Sequence, residues 1–169
     1  MSREPRHPIS AGGPVFRTPS ALFRVLAIAE AITWTLLITA LIVRATTGVA
    51  VAVTVAGGVH GFVFLAYGAT AVLVAKNQRW HPLRAVVAIG SAVIPYATIP
   101  AEIWWLHRTG ALAGDWRLHA GSDPRDERWH DRLMRAMLRR PGLLAALLVV
   151  AVVVIFTGLL IVGPPGGKA

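Results

Sequence analysis

Cysteine is absent, and with it go disulfides, thiolate metal sites and any cysteine nucleophile. Charge is scarce as well: 15% of the 169 residues are charged, against 55% that are hydrophobic. That balance is too apolar for a water-soluble domain of this size and places the chain in a membrane. Acids are the scarcer sign, eight against seventeen Lys and Arg, leaving a net charge of +9. Catalytic signatures are missing too. Ser91 lacks a G-x-S-x-G setting and an orienting acid, although His60 is a conceivable base for it. His7, His119 and His130 show no H-E-x-x-H or paired-ligand spacing, and His81 and His107 fall at the ends of apolar runs, where neither can face His60 across a haem. Gly57, Gly58 and Gly61 lie inside an apolar run, not in a phosphate-cradling loop. The expectation is a noncatalytic chain with neither metal nor cofactor.

What is present is a set of long apolar runs. Spanning roughly 30 Å of hydrocarbon at 1.5 Å per residue takes about 20 residues, and residues 20–43, 49–75, 85–106 and 143–162 qualify. The first is too long for a cleaved signal and reads as a retained span. The predicted fold class is all-α: a polytopic transmembrane helical bundle with four spans, three forming a core and one C-terminal, plus an amphipathic basic juxtamembrane helix. Divided by composition, 1–19 is a disordered polar tail and 20–112 the three-span core. Residues 113–140 are then a basic loop with an interfacial helix, and 141–169 the fourth span with a short tail.

The 107–140 connection holds eight arginines and five of the eight acids. Within it SDPRDERWHDRLMRAMLRR predicts a helix capped by Asp123, with Pro124 in its first turn and acids at its positive end. Trp129, Leu133, Ala136 and Met137 share one face. Such a helix lies along headgroups, with Arg128, Arg132, Arg135, Arg139 and Arg140 as expected lipid headgroup contacts. Interleaved acids and flanking spans argue against nucleic acid.

Four crossings leave orientation undecided, with eight basic residues on the side of the termini and nine on the other. A third segment that re-entered, broken by Pro95 and Pro100, would put fifteen on one side. Non-helical backbone at membrane depth must be shielded by protein, however, which favours four full crossings in so small a chain.

Three of the runs carry polar stripes at helical spacing. Glu30, Thr33, Trp34 and Leu37 share a face on the first, and Gly57, His60, Phe64 and Tyr67 on the second. Ser91, Pro95, Thr98 and Glu102 follow the same spacing on the third. The fourth run has only Thr157 and reads as a lipid-facing addition. Glu30 lies fourteen residues before Arg44 and His60 twelve after Gly48, so the two sit within roughly 3 Å of one level and can pair. A lone carboxylate at mid-bilayer costs about 3 kcal/mol, which pairing or protonation largely removes. The Gly57-x-x-x-Gly61 step would let a neighbouring backbone approach for that contact. We expect a buried polar seam of Glu30, Trp34, His60, Gly61, Tyr67, Ser91, Pro95, Thr98 and Glu102, serving as a register device or as a relay.

FRVLAIAEAITWTLLI, then VAGGVHGFVFLAYG, then SAVIPYATIPAEIWWLHRTGAL resemble, in that order, the bacterial integral membrane family known as domain of unknown function 3817, the YdzA-like proteins. The resemblance covers about residues 20–112 and maps the family pattern onto Glu30, His60, Gly61, Tyr67, Pro95 and Thr98, with Ala31 and Ala97 where many members have glycine. It implies a multi-pass protein of the bacterial plasma membrane and brings no activity with it. Two functions are expected of such a chain. One is a noncatalytic accessory or assembly partner of another membrane component. The other is a small oligomeric carrier, coupled to protons through a buried Glu-His pair. Membrane lipids are the expected partners, with another membrane protein or a second copy beside them.

Overall fold

The structure, a computed structural model, describes residues 18–106, 108–121 and 124–162. The expected disordered tail therefore lies outside the described residues, except that its last two positions open the first helix. α1 runs Pro19–Thr47, with Thr18 accepting the Ala21 N–H at 3.1 Å as its cap and Pro19 at the first position. It ends at Gly48, whose φ of 78° is the left-handed conformation that a C-cap glycine supplies. α2 follows at once, Ala50–Asn77, and packs antiparallel along α1. α6, Pro141–Val162, returns along α2, bringing Phe156 against Gly58 and Gly61 and burying Leu144 and Val152. These three helices are long and apolar enough to cross a membrane.

The predicted third crossing, 85–106, is a hairpin instead. α3 spans only Pro82–Gly90, about 14 Å, which is half of what a crossing needs. A 3-10 turn at Ser91–Val93 ends it, Ile94 is extended, and Tyr96 takes a φ of 65°. The chain then returns through a short helical turn, α4 (Thr98–Pro100), and π-helical turns at Ala101–Leu106. Its contacts with α1 run backwards: Ala92 and Tyr96 meet Trp34 and Thr35, Thr98 meets Glu30 and Ala27, and Glu102 meets Arg24. At the end of the return Ala111 accepts the Trp80 indole N–H at 2.8 Å. Both limbs of the hairpin thus start and finish at the end of the bundle where α1 begins and α2 stops.

The shielding that a re-entrant backbone demands comes from individual hydrogen bonds, which composition does not reveal. The carbonyl of Ser91 accepts the Ile94 N–H, that of Ile94 the Ala97 N–H, and that of Tyr96 the Ile99 N–H. Trp34 of α1 and Tyr67 of α2 supply donors to the carbonyls of Ala92 and Ala88. Prolines that leave carbonyls without their helical partners are tolerated at membrane depth on these terms.

The basic loop also departs from expectation. Pro124–Glu127 is a 3-10 turn, Arg128 is extended, and the amphipathic helix, α5, begins only at Trp129 and ends at Leu138. Asp123, the predicted cap, lies outside the described residues. A core of Phe23, Tyr67, Val74, Trp80, Ala88 and Leu106 closes the shared end of the bundle, with Phe23 stacked at a tilt on Tyr67 and edge-on to Trp80.

Candidate functional site

The seam forms where the buried residues on either side of the hairpin turn, Ser91, Ala92 and Thr98, meet α1 and α2. Glu30 is wholly buried on α1. Its Oε2 accepts the Thr98 hydroxyl at 3.0 Å, and that hydroxyl also sits 3.3 Å from the Ala27 carbonyl. Among the described residues Glu30 Oε1 has no hydrogen-bond partner. His60 is buried on α2, with Nδ1 3.1 Å from the Thr33 hydroxyl, which donates to the Glu30 backbone carbonyl at 2.9 Å. With that hydroxyl proton committed, Nδ1 is the donor to Thr33 Oγ1. The Trp34 ring lies 4.5 Å from the imidazole, and its indole N–H donates to the Ala92 carbonyl at 3.2 Å.

The expected Glu30–His60 pair is accordingly replaced by two neighbouring contacts. The acid bonds to the hairpin through Thr98, and the imidazole bonds to Thr33, one turn along α1. Facing positions at one level on two helices need not pair when each finds another neighbour, here Thr98 of the return limb for the acid and Thr33 with the Trp34 ring for the imidazole. The glycine step serves other neighbours as well: Gly57 faces Leu37 of α1, while Gly61 faces Phe156 of α6.

Deeper towards the shared end, Tyr67 donates to the Ala88 carbonyl at 2.9 Å, as does Ser91 at 2.7 Å, with the two hydroxyls 3.3 Å apart. Ser91 therefore engages Tyr67 and not His60. Glu102 is buried on the return limb and accepts Arg24 Nε at 3.1 Å. Pro95 leaves the seam: the helical spacing that placed it there is interrupted at Ile94, and it sits exposed on the turn. Among the described residues no group of three His, Asp or Glu side chains is arranged to hold a metal.

A second polar centre was not legible from spacing. Asp126 is buried between the end of α2 and α5. Its Oδ1 meets Arg79 at 2.6 Å and Arg135 at 3.1 Å, its Oδ2 accepts the Gly121 N–H at 2.8 Å, and Arg117 stands 3.8 Å away. The Gly121 N–H, helped by Arg79, Arg117 and Arg135, holds the carboxyl below its ordinary range against the opposing effect of burial. Beside it Asn77 clasps the backbone of Arg117, accepting its N–H at 3.2 Å and donating to its carbonyl at 3.4 Å. Two expected headgroup contacts are drawn into this structure: Arg135 is buried on Asp126, and Arg139 donates to the Leu118 carbonyl. Arg135 points inward because a buried carboxylate needs donors, a demand that an arginine count does not show, while Arg139 makes its bond at the surface. Arg128, Arg132, Arg139 and Arg140 are exposed.

Three long apolar helices, two of which hold a buried polar seam with the hairpin, fit a membrane protein. The chain belongs to the family described as Domain of unknown function (DUF3817), which matches residues 20–107, just over half of its length. The matched region takes in α1, α2 and the hairpin, and stops short of the Asp126 centre and α6. No curated protein and no solved structure matches the chain.

Thr98→Val removes the donor of Glu30 at constant shape and is expected to destabilise the fold by about 1–2 kcal/mol. Detergent unfolding checks this against Thr39→Val, an exposed hydroxyl bonded only to its own helix. Equal stability of the two variants would remove Thr98 from the account. For Asp126, whose folded pKa is depressed, the ionised form stabilises the loop. That contribution is complete above the ordinary carboxylate value of about 4 and is lost as pH falls below it. Amide protection factors across residues 113–121 and 124–128, with exchange normalised to the intrinsic rate at each pH, should fall between pH 6 and pH 3, and Asp126→Asn should show low protection with little such pH dependence. A wild-type loop equally protected at pH 3 would contradict this.

Proposed function

We propose that this is a noncatalytic multi-pass protein of the bacterial plasma membrane, acting as an accessory or assembly partner of another membrane component. α1, α2 and α6 cross the bilayer, and the 82–106 hairpin dips into it from one leaflet. The observation that carries this reading is how the seam uses its polar groups. Thr33, Trp34, Tyr67, Ser91 and Thr98 all direct donors at this chain's own carbonyls or carboxylate, and those of Trp34, Tyr67 and Thr98 tie the hairpin to α1 and α2. The outward faces stay plainly apolar, with Ile28, Ile32 and Leu36 exposed on α1 and Val150, Val154 and Ile161 on α6. These are surfaces for lipid and for lateral contact with another membrane helix.

The hairpin also gathers the basic residues unevenly, which supports one orientation. Four basic residues in and beside the N-terminal tail, three in the 76–84 connection and eight in the 107–140 loop gather on one side, fifteen in all. Arg44 and Lys168 are left for the other. Positive residues in short loops mark the cytoplasmic face, so the hairpin opens to the cytoplasm.

A second reading, a small oligomeric carrier coupled to protons, is favoured by one observation: the unpartnered Oε1 of Glu30, buried where a proton is the simplest companion. Glu30→Gln separates the two. On the accessory reading the variant keeps the Thr98 bond and shifts stability by less than about 1 kcal/mol. It also recovers the same membrane proteins in mild detergent, and vesicles containing the wild-type chain show no pH-driven flux beyond that of empty vesicles. Flux in wild-type vesicles that Glu30→Gln abolishes would replace the accessory reading with the carrier.

A further inference from the structure

Where α5 lies across the ends of α2 and α6, an apolar furrow of about 380 Å3 opens between the three helices. Leu73 of α2, Leu133 and Met137 of α5, and Leu144 and Leu148 of α6 wall it, and Lys76 and His130 stand on its lining at the end nearest the connecting loops. Ala69 and Val72 belong also to a second hollow of about 320 Å3, which continues between α2, α3 and α6 to Phe64 and Ile155. The two make one slot along α2. From Lys76 to Phe64 it covers twelve residues, about 18 Å, close to half the roughly 30 Å of hydrocarbon. It is thus about one leaflet deep, cationic at the headgroup level and apolar below.

We propose that this slot binds one anionic phospholipid of the cytoplasmic leaflet, its phosphate at Lys76 and an acyl chain lying along α2 towards Phe64. The inference rests on the bilayer reading above and not on the accessory role. Charge complementarity favours it: Arg128 and Arg132, exposed on α5, add to the positive potential, and each cation near an anionic surface contributes measurably. Asp131 sits beside His130, Oδ2 to Nε2 3.5 Å, which makes Lys76 the cation facing the phosphate. Trp129, 75% exposed on the first turn of α5, is placed as an interfacial anchor is. A second copy seated symmetrically on this face would bring Lys76 and the α5 arginines against their own equivalents, and like charges disfavour that arrangement.

Native mass spectrometry of the full chain in mild detergent, titrated with dioleoyl phosphatidylglycerol or dioleoyl phosphatidylcholine, tests the site. One phosphatidylglycerol should be retained in preference to phosphatidylcholine, with about a fivefold loss of apparent affinity in Lys76→Gln. Leu73→Trp, which fills the slot, should lose the lipid while keeping the wild-type helical circular dichroism, and Leu133→Trp gives the same check from the α5 wall. Millimolar inorganic phosphate should not displace the lipid. Equal retention of the two lipids, retention undiminished in both tryptophan variants, displacement by phosphate alone, or a two-chain species that the tryptophan variants dissolve would each overturn the proposal. Failure of the bilayer reading shows itself differently, as a monodisperse chain recovered without detergent.

Discussion

A backbone that leaves the helical path inside hydrocarbon has no water to turn to, so every freed carbonyl must find a donor within the protein. This chain leaves that path between Gly90 and Thr98, and much of its remaining architecture answers the demand. The turn itself satisfies several carbonyls through short-range bonds, and Trp34 and Tyr67 reach in from the two long helices to supply others. Without those side chains the cheaper course for an apolar segment of this length would be a continuous helix. The polar seam is better understood as the support of a hairpin than as a stripe between three parallel spans.

Glu30 takes its meaning from the same arrangement. A carboxyl buried at that depth is tolerated because the hairpin brings Thr98 to it and α2 closes over it, while the imidazole expected to neutralise it is held by Thr33. The acid and the histidine are neighbours through the Glu30 peptide carbonyl and the Thr33 hydroxyl. The Asp126 centre does for the surface what Thr98 does for the interior: it ties the end of α2 to the loop and to α5 with one carboxylate among three arginines. Through Arg135 it also holds α5, one wall of the slot, to the end of α2.

Much of this was legible in the residues. The lengths of the α1, α2 and α6 runs and the polar faces of α1 and α2 follow from composition and helical spacing, and three motifs in order carry the family resemblance. So does the inward placement of Glu30, His60 and Tyr67. What could not be read was which carbonyl each donor would meet, and that is what decides between crossing and turning back. Pro95 and Pro100 signal a break with equal force in a kinked span and in a hairpin. The charge count of fifteen against two did point to the hairpin, and a general rule about shielding outweighed it. Arg135 turns inward for a related reason, since periodicity sorts side chains by face and is blind to a buried acceptor such as Asp126.

The turn-back can be tested in intact cells, because a chain without cysteine accepts single reporters cleanly. Cysteines introduced at His81, Ala113 and Thr46 would be exposed to a membrane-impermeant thiol reagent. The account predicts that His81→Cys and Ala113→Cys react only after the membrane is opened, whereas Thr46→Cys reacts from outside. Ala113→Cys reacting from outside together with Thr46→Cys would mean that the 82–106 segment crosses, and the hairpin would be wrong.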